Sequence, residues 1–228
     1  MKKIALTAIA SGLAVLPSPA YVLEGQIWNV GGITINMNIN ATQYRLTNFR
    51  GLPLSDGSPS FQRVYWGVAA DWNRYLLRLQ IYPHFNWNPT GGTFGNGVNN
   101  ISFGGSLGGS KLDIDTLAIT EYYYNPSTNF FIEADTVYNE NIRWNSDRGP
   151  LFWRSMDIRR VMLHETGHMI GLDHPDAAGQ KVNAIMNSVV SNTDDLTNDD
   201  VTGAQSLYGV RAAPPPPLPY NPNGVEED

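Results

Sequence analysis

Apolar and polar residues alternate strictly through Ile33-Thr34-Ile35-Asn36-Met37-Asn38-Ile39-Asn40. Successive side chains of a strand point to opposite faces, so this run predicts a strand with one face buried. The period then changes. Behind Ser60, the residues Phe61, Val64, Tyr65, Val68, Trp72, Tyr75, Leu76 and Leu79 recur at intervals of three and four. That spacing predicts a long amphipathic helix capped by the serine hydroxyl and lying on one face of a sheet. From Asn88 to Ser110 glycine and asparagine dominate, which predicts loops on either side of one strand between Val98 and Phe103. Thr116 to Tyr124 and Asn129 to Tyr138 are β-prone runs joined by Asn125-Pro126-Ser127-Thr128, and predict a hairpin. Ser155 and Asp157 open a second long helix that runs to Gly171. A last helix starts at Thr197 with Asp200 in the capping-box position, presents Val201, Ala204 and Tyr208 on one face, and stops at Gly209.

The two ends of the chain do not share this patterning. Lys2 and Lys3, the apolar run Ile4 to Leu16, and Ser18-Pro19-Ala20 give residues 1–20 the form of a secretory signal, too short for a membrane span. Residues 212–228 are rich in proline and end in acids, which predicts an extended, disordered tail. Residues 21–211 remain for one domain, enough for a single core without disulfide staples. That matters because the chain has no cysteine. Its formal charge is −6, and two of its lysines lie in the signal. So acidic a surface argues against nucleic acid and anionic membranes as partners, and no stable membrane insertion is expected. A monomer is expected.

The chemistry concentrates in His164-Glu165-Thr166-Gly167-His168-Met169-Ile170-Gly171-Leu172-Asp173-His174. On a helix, His164 and His168 stand one turn apart on the same face. Glu165 is displaced by about 100° and can reach a metal-bound water without becoming a ligand. Gly171 can take a positive φ and turn the chain sharply, which brings His174 toward the same ion. Three imidazoles with an open fourth position suit one catalytic zinc; a structural zinc is closed by a fourth protein ligand, typically sulfur. Zinc so held lowers the pKa of its water to about 7, and Glu165 can act as general base and then general acid.

The extended pattern resembles the signature of the metzincin clan of zinc endopeptidases, and Ala184-Ile185-Met186-Asn187 resembles its methionine turn. Leu196 to Gly209 looks like the closing helix of the matrixin branch. The resemblance is clearest over residues 115–209. It implies an α+β zincin fold: a twisted, mostly parallel sheet with two long helices and a C-terminal helix. It further implies metal ligands His164, His168 and His174, a general base in Glu165, Met186 beneath the metal, and protein or peptide substrates bound along a sheet edge. The stretch Asn187 to Leu196 would wall the pocket for the side chain beyond the cut, with Val189 and Val190 as apolar lining or, equally, as part of the core.

Several features depart from animal matrixins. Pro175 follows the third histidine, the gap from His174 to Met186 is long, and no tyrosine ligand follows Met186. Neither a cysteine switch nor Gly-Gly-x-Gly-x-Asp calcium repeats are present, which points to a minimal, bacterial-type catalytic domain. His84 is the one histidine outside the trio, and Ile119 stands where matrixins commonly carry a histidine of a second zinc site. One zinc is therefore expected. Asp113, Asp115, Glu133 and Asp135 can join carbonyls around Ca2+, although solvated surface carboxylates are the favoured expectation for them. Asp199 and Asp200 are expected to cap the last helix and to bond the methionine turn. A second class of function remains open: a zinc-binding surface or adhesion protein of the same fold, without turnover.

Overall fold

The structure is a computed structural model that describes residues 20–39, 54–85, 94–151 and 155–212. The signal assigned to residues 1–20 and the tail at 212–228 fall almost wholly outside the described residues. In chain order the elements begin with β1 (Val22–Leu23), β2 (Ile33–Asn38), helix α1 (Phe61–Asn73), β3 (Ile81–Phe85) and β4 (Asn100–Gly104). Two short strands, β5 (Ser106–Leu107) and β6 (Ser110–Lys111), precede the hairpin of β7 (Ala118–Asn125) and β8 (Phe130–Asn139). The short β9 (Trp144–Asn145) and β10 (Met156–Asp157) lead into α2 (Ile158–Met169), followed by β11 (Leu172–Asp173) and α3 (Asn198–Tyr208).

Five strands form the main sheet in the order β3-β2-β4-β8-β7. All neighbours are parallel except β7, which returns antiparallel to β8 and closes one edge. The alternation read in β2 buries Ile33, Ile35 and Met37. The β7–β8 turn closes on the Asn125 carbonyl, which accepts from Thr128 N at 3.2 Å and Asn129 N at 2.8 Å. Asn129 takes φ 56°, a left-handed conformation that asparagine tolerates better than most residues.

On α1, the Ser60 hydroxyl accepts from Arg63 N at 3.2 Å, and Phe61, Val64, Tyr65, Val68 and Trp72 are buried. The helix is shorter than its apolar spacing predicts. It stops at Asn73, whose side-chain amide bonds both the N–H and the carbonyl of Ile81 at 2.8 Å and pulls the chain back toward the sheet. Leu76 leaves the helix for a bridge with Val210. Leu76 and Leu79 are nevertheless buried, so the spacing tracked burial beyond the point where it tracked helix. Strand β3 is an addition to the predicted elements, none of which spans Pro83. Proline lacks a ladder donor but is tolerated at an edge, and β3 is an edge strand. Similarly, part of the Gly-rich stretch read as loop forms the β5–β6 pair.

Helix α2 lies between α1 and the hairpin. Trp72 Nε1 donates to Leu163 O at 3.2 Å. Asp157 caps its start, accepting from Arg159 N at 3.1 Å. Two carbonyls at its end would otherwise lack partners. Trp28 Nε1 donates to Met169 O and the Tyr208 hydroxyl to Ile170 O, both at 2.8 Å. Tyr208 also accepts from Trp28 N at 3.2 Å. This tyrosine therefore ties α3, α2 and the N-terminal segment together. Tyr208→Phe is expected to lower stability by about 1–3 kcal/mol, the cost of leaving a buried polar group unpaired, seen as a lower midpoint in urea unfolding.

Candidate metal centre and cleft

The last two turns of α2 present His164 and His168, and the chain then turns at Gly171 with φ 103°. A side chain at Gly171 meets two obstacles: the left-handed backbone and the Gln26 carbonyl, 2.6 Å from where a Cβ would sit. The turn delivers His174. All three Nε2 atoms lie 3.0 Å from one another. Among the described residues this trio is the one group of three or more His, Cys, Asp or Glu side chains whose ligand atoms converge.

The outer ring nitrogens explain why the inner ones are free to bind. His164 Nδ1 lies 2.8 Å from Ile185 O, and His168 Nδ1 lies 2.9 Å from Leu172 O. A carbonyl only accepts, so both rings carry their proton on Nδ1 and turn a bare Nε2 inward. Two lone pairs facing each other at 3.0 Å repel unless a cation lies between them. Burial, reinforced by the neighbouring His168, drives the His164 pKa down to about 3, so this ring is neutral at physiological pH. His174 is lowered for the same two reasons. Burial pulls His168 down as well, but Glu24 and Glu165 outweigh it and carry the ring above the usual imidazole value. The donor set therefore fits a divalent ion with an imidazole preference. His164, His168 and His174 would hold such an ion through their Nε2 atoms, and a zinc held by three imidazoles would supply Lewis acidity and an activated water.

Met186 is buried with its neighbours Ala184 and Ile185. A Cβ at Gly167 would run into Met186 Sδ, so the glycine of α2 makes room for this side chain. The segment is held from below by Asp200, which accepts from Ile185 N and Met186 N at 3.0 Å and from Thr197 N and its hydroxyl at 2.8 Å. Asp199 makes no such contact, and burial beside Asp200 raises its pKa.

Glu165 is not among the converging ligand atoms and is buried at 6% exposure. Its Oε2 accepts from the Thr120 hydroxyl at 2.6 Å, and Thr120 Oγ1 lies 2.7 Å from Thr136 Oγ1. Burial raises its pKa above the usual carboxylate range. All four residues of the motif chemistry line a cleft of about 660 Å3, with Thr116–Thr120 on one wall and Asn187–Ser191 on the other. Val189 and Val190 are in that second wall, with Val189 71% exposed. Glu24 lines the cleft as well. Nothing in the sequence singled out Glu24 or Thr120. Each lies far along the chain from the motif, and neither has a spacing that signals the contact.

The remaining candidates lie elsewhere. His84 is on edge strand β3, exposed, with Nδ1 3.1 Å from Asn36 Oδ1. Ile119 packs against an apolar cluster of Leu107, Leu112 and Val137. Asp113 accepts from Asp115 N, Thr116 N and the Thr116 hydroxyl and so closes a turn. Glu133 and Asp135 correct the expectation of solvated carboxylates, since both are 1% exposed. Glu133 accepts from Gly95 N and Gly97 N, while Asp135 Oδ1 accepts from Asn100 N at 2.6 Å.

Burial, together with Glu133 beside it, pushes the Asp135 pKa up to about 8. A carboxyl raised in the folded state contributes stability that is complete below its unfolded pKa of about 3.9 and is lost as pH rises through about 8. Asp135→Asn keeps an amide to bond Glu133 and removes the charge. The variant is expected to gain about 1–3 kcal/mol over the wild type near pH 9, with the gap closing toward pH 4, as read from urea midpoints across pH.

A helix with two histidines, a glycine turn that brings in the third ring, and a following methionine are features similar to the metzincin signature. Residues 100–209 match the family model described as Matrixin. Interstitial collagenase of Oryctolagus cuniculus is 34% identical over 89 residues, 38% of this chain and 17% of that protein. Metalloendoproteinase 2-MMP of Arabidopsis thaliana is 34% identical over 88 residues, 37% of this chain and 22% of that one. Matrix metalloproteinase-18 of Xenopus laevis is 28% identical over 181 residues, covering 76% and 33% respectively. The chain thus spans a third or less of the length of these relatives. Over residues 100–209 it is matrixin-like.

Proposed function

We propose that this protein is a secreted zinc-dependent endopeptidase in which His164, His168 and His174 hold the ion and Glu165 is the general base. The observation that carries the reading is the convergence of three Nε2 atoms at 3.0 Å beside one buried carboxylate that stays outside their set. When bound, zinc supplies a water with a pKa of about 7 and polarises a substrate carbonyl. Glu165 takes the proton from the attacking water and passes it to the leaving amine. The Thr120 hydroxyl holds its Oε2 in the cleft wall meanwhile. His164 and His168 keep their Nε2 lone pairs inward through the carbonyls behind them.

An extended peptide fits beside β7, the antiparallel edge of the sheet and a wall of the cleft, as an added strand. The segment around Val189 and Val190 then bounds the pocket for the side chain beyond the cut. Matrixin relatives support protein or peptide substrates. The signal at residues 1–20 supports export, with 21–211 as the catalytic domain.

The test is cleavage of casein and of a mixed peptide library by the purified mature chain, with and without a chelator. Cleavage that stops on chelation and returns with zinc is expected. A chain that binds one zinc per molecule yet cuts nothing in the library would instead be a zinc-binding surface protein.

A further inference from the structure

We infer that Glu24 is a positioning residue of the metal centre, its carboxylate buttressing the imidazole of His168 from the side opposite the ion. The inference rests on the zinc-binding part of the function proposed above. Glu24 Oε1 lies 3.3 Å from His168 Nδ1, beside the N–H that the Leu172 carbonyl accepts at 2.9 Å. The other oxygen, Oε2, accepts from the Tyr122 hydroxyl at 2.8 Å. Tyr122 is itself set edge-on against Phe131, with ring centroids 4.9 Å apart. One carboxylate oxygen is thereby fixed by the hairpin, and the other is aimed at the ligand.

The main chain around Glu24 is held as firmly as its side chain. Strand β1 pairs antiparallel with β11, matching Val22 to Asp173 and Leu23 to Leu172. Glu24 N donates to Gly171 O at 2.9 Å, and three residues on, Ile27 O accepts from Phe131 N at 2.9 Å. The N-terminal strand therefore lies along the segment that connects the second histidine to the third. It cannot shift without moving the Gly171 turn, where Gln26 O already occupies the space of a side chain.

His168 differs in this respect from the other two rings. His164 has a carbonyl alone behind it, and the carboxylate nearest His174 Nδ1, that of Asp173, is 3.9 Å away and beyond hydrogen-bond range. A carboxylate on the outer nitrogen of a metal-bound imidazole fixes its tautomer and orientation and makes the inner nitrogen more basic. Loss of such a partner typically weakens metal binding by about 10–100-fold.

The experiment uses the full chain with Glu24→Ala, Glu24→Gln and Tyr122→Phe. Zinc dissociation constants are measured by competition with a chromogenic chelator. The ring nitrogens of His168 are followed by 15N NMR in the metal-free protein, and urea midpoints are recorded without metal. Glu24→Ala is expected to weaken zinc by about 10–100-fold and to shift the His168 Nδ1 resonance. Glu24→Gln, which retains an acceptor oxygen, should lose less. Tyr122→Phe should fall between Gln and wild type. A Glu24→Ala chain that binds zinc within twofold of a zinc-binding wild type overturns this inference alone. So does a loss that is equal in Ala and Gln and matched by a lower metal-free midpoint, because the residue would then be a fold contact only. A wild type that takes up no zinc overturns both this inference and the proposed function.

Discussion

Glu165→Ala is expected to cut peptide cleavage by about 10^2- to 10^4-fold, the usual contribution of a positioned general base, while the chain keeps its zinc. The two halves of that outcome come from different atoms. In the proposed function metal retention depends on three Nε2 atoms, and two of the rings, His164 and His168, are anchored at their outer nitrogens on the Ile185 and Leu172 carbonyls, none of which needs Glu165. In the proposed function proton transfer depends on the Glu165 carboxylate, which shares the cleft with the trio but bonds Thr120. Removing the carboxylate also releases the Thr120 hydroxyl, which still has Thr136 Oγ1 at 2.7 Å as a partner. The fold should therefore lose little. Metal content per chain and turnover of one peptide, measured on the same preparation, check both halves. If zinc and activity fall together, Glu165 is a ligand or a structural residue. If neither falls, the proton acceptor lies elsewhere.

The part of this site visible in the sequence is local. A helix repeats every 3.6 residues, so spacing alone puts His164 and His168 on one face, and a glycine three residues beyond signals a reversal. The structure brings the three rings together at 3.0 Å. Strands with strict alternation and turns with asparagine at their corners were equally legible, as β2 and the β7–β8 hairpin illustrate. What the sequence could not give is set by tertiary approach. Glu24 meets His168 across 144 residues only because β1 pairs with β11. Thr120 meets Glu165 because the hairpin edge packs against α2. The end of α1 belongs to the same kind: its apolar spacing continues to Leu79, and an asparagine amide reaching Ile81 ends the helix at Asn73 instead. Glu133 and Asp135 were misjudged because acidic side chains are rarely buried, and the backbone N–H groups that bury them come from a distant Gly-rich segment.

The largest stability effect is expected at Asp200, a residue that touches none of the three histidines. Its carboxylate is 1% exposed and accepts four hydrogen bonds, two from the methionine turn and two from Thr197 at the start of α3. Bonds to a charged acceptor contribute about 1.5–3 kcal/mol each, and the donors left behind cannot reach water. Asp200→Ala is therefore expected to cost about 3–5 kcal/mol, the range seen when one member of a buried charged network is removed. The loss should extend to the metal. Ile185 presents its N–H to Asp200 and its carbonyl to His164 Nδ1, so a slack methionine turn lets the first histidine rotate. Asp200→Asn retains one acceptor oxygen and should fall between the two. Urea midpoints and zinc dissociation constants for the pair of variants provide the check. A stable Asp200→Ala protein with unchanged zinc affinity would mean that packing of Met186 against Gly167, rather than the bonds beneath it, holds the floor of the site.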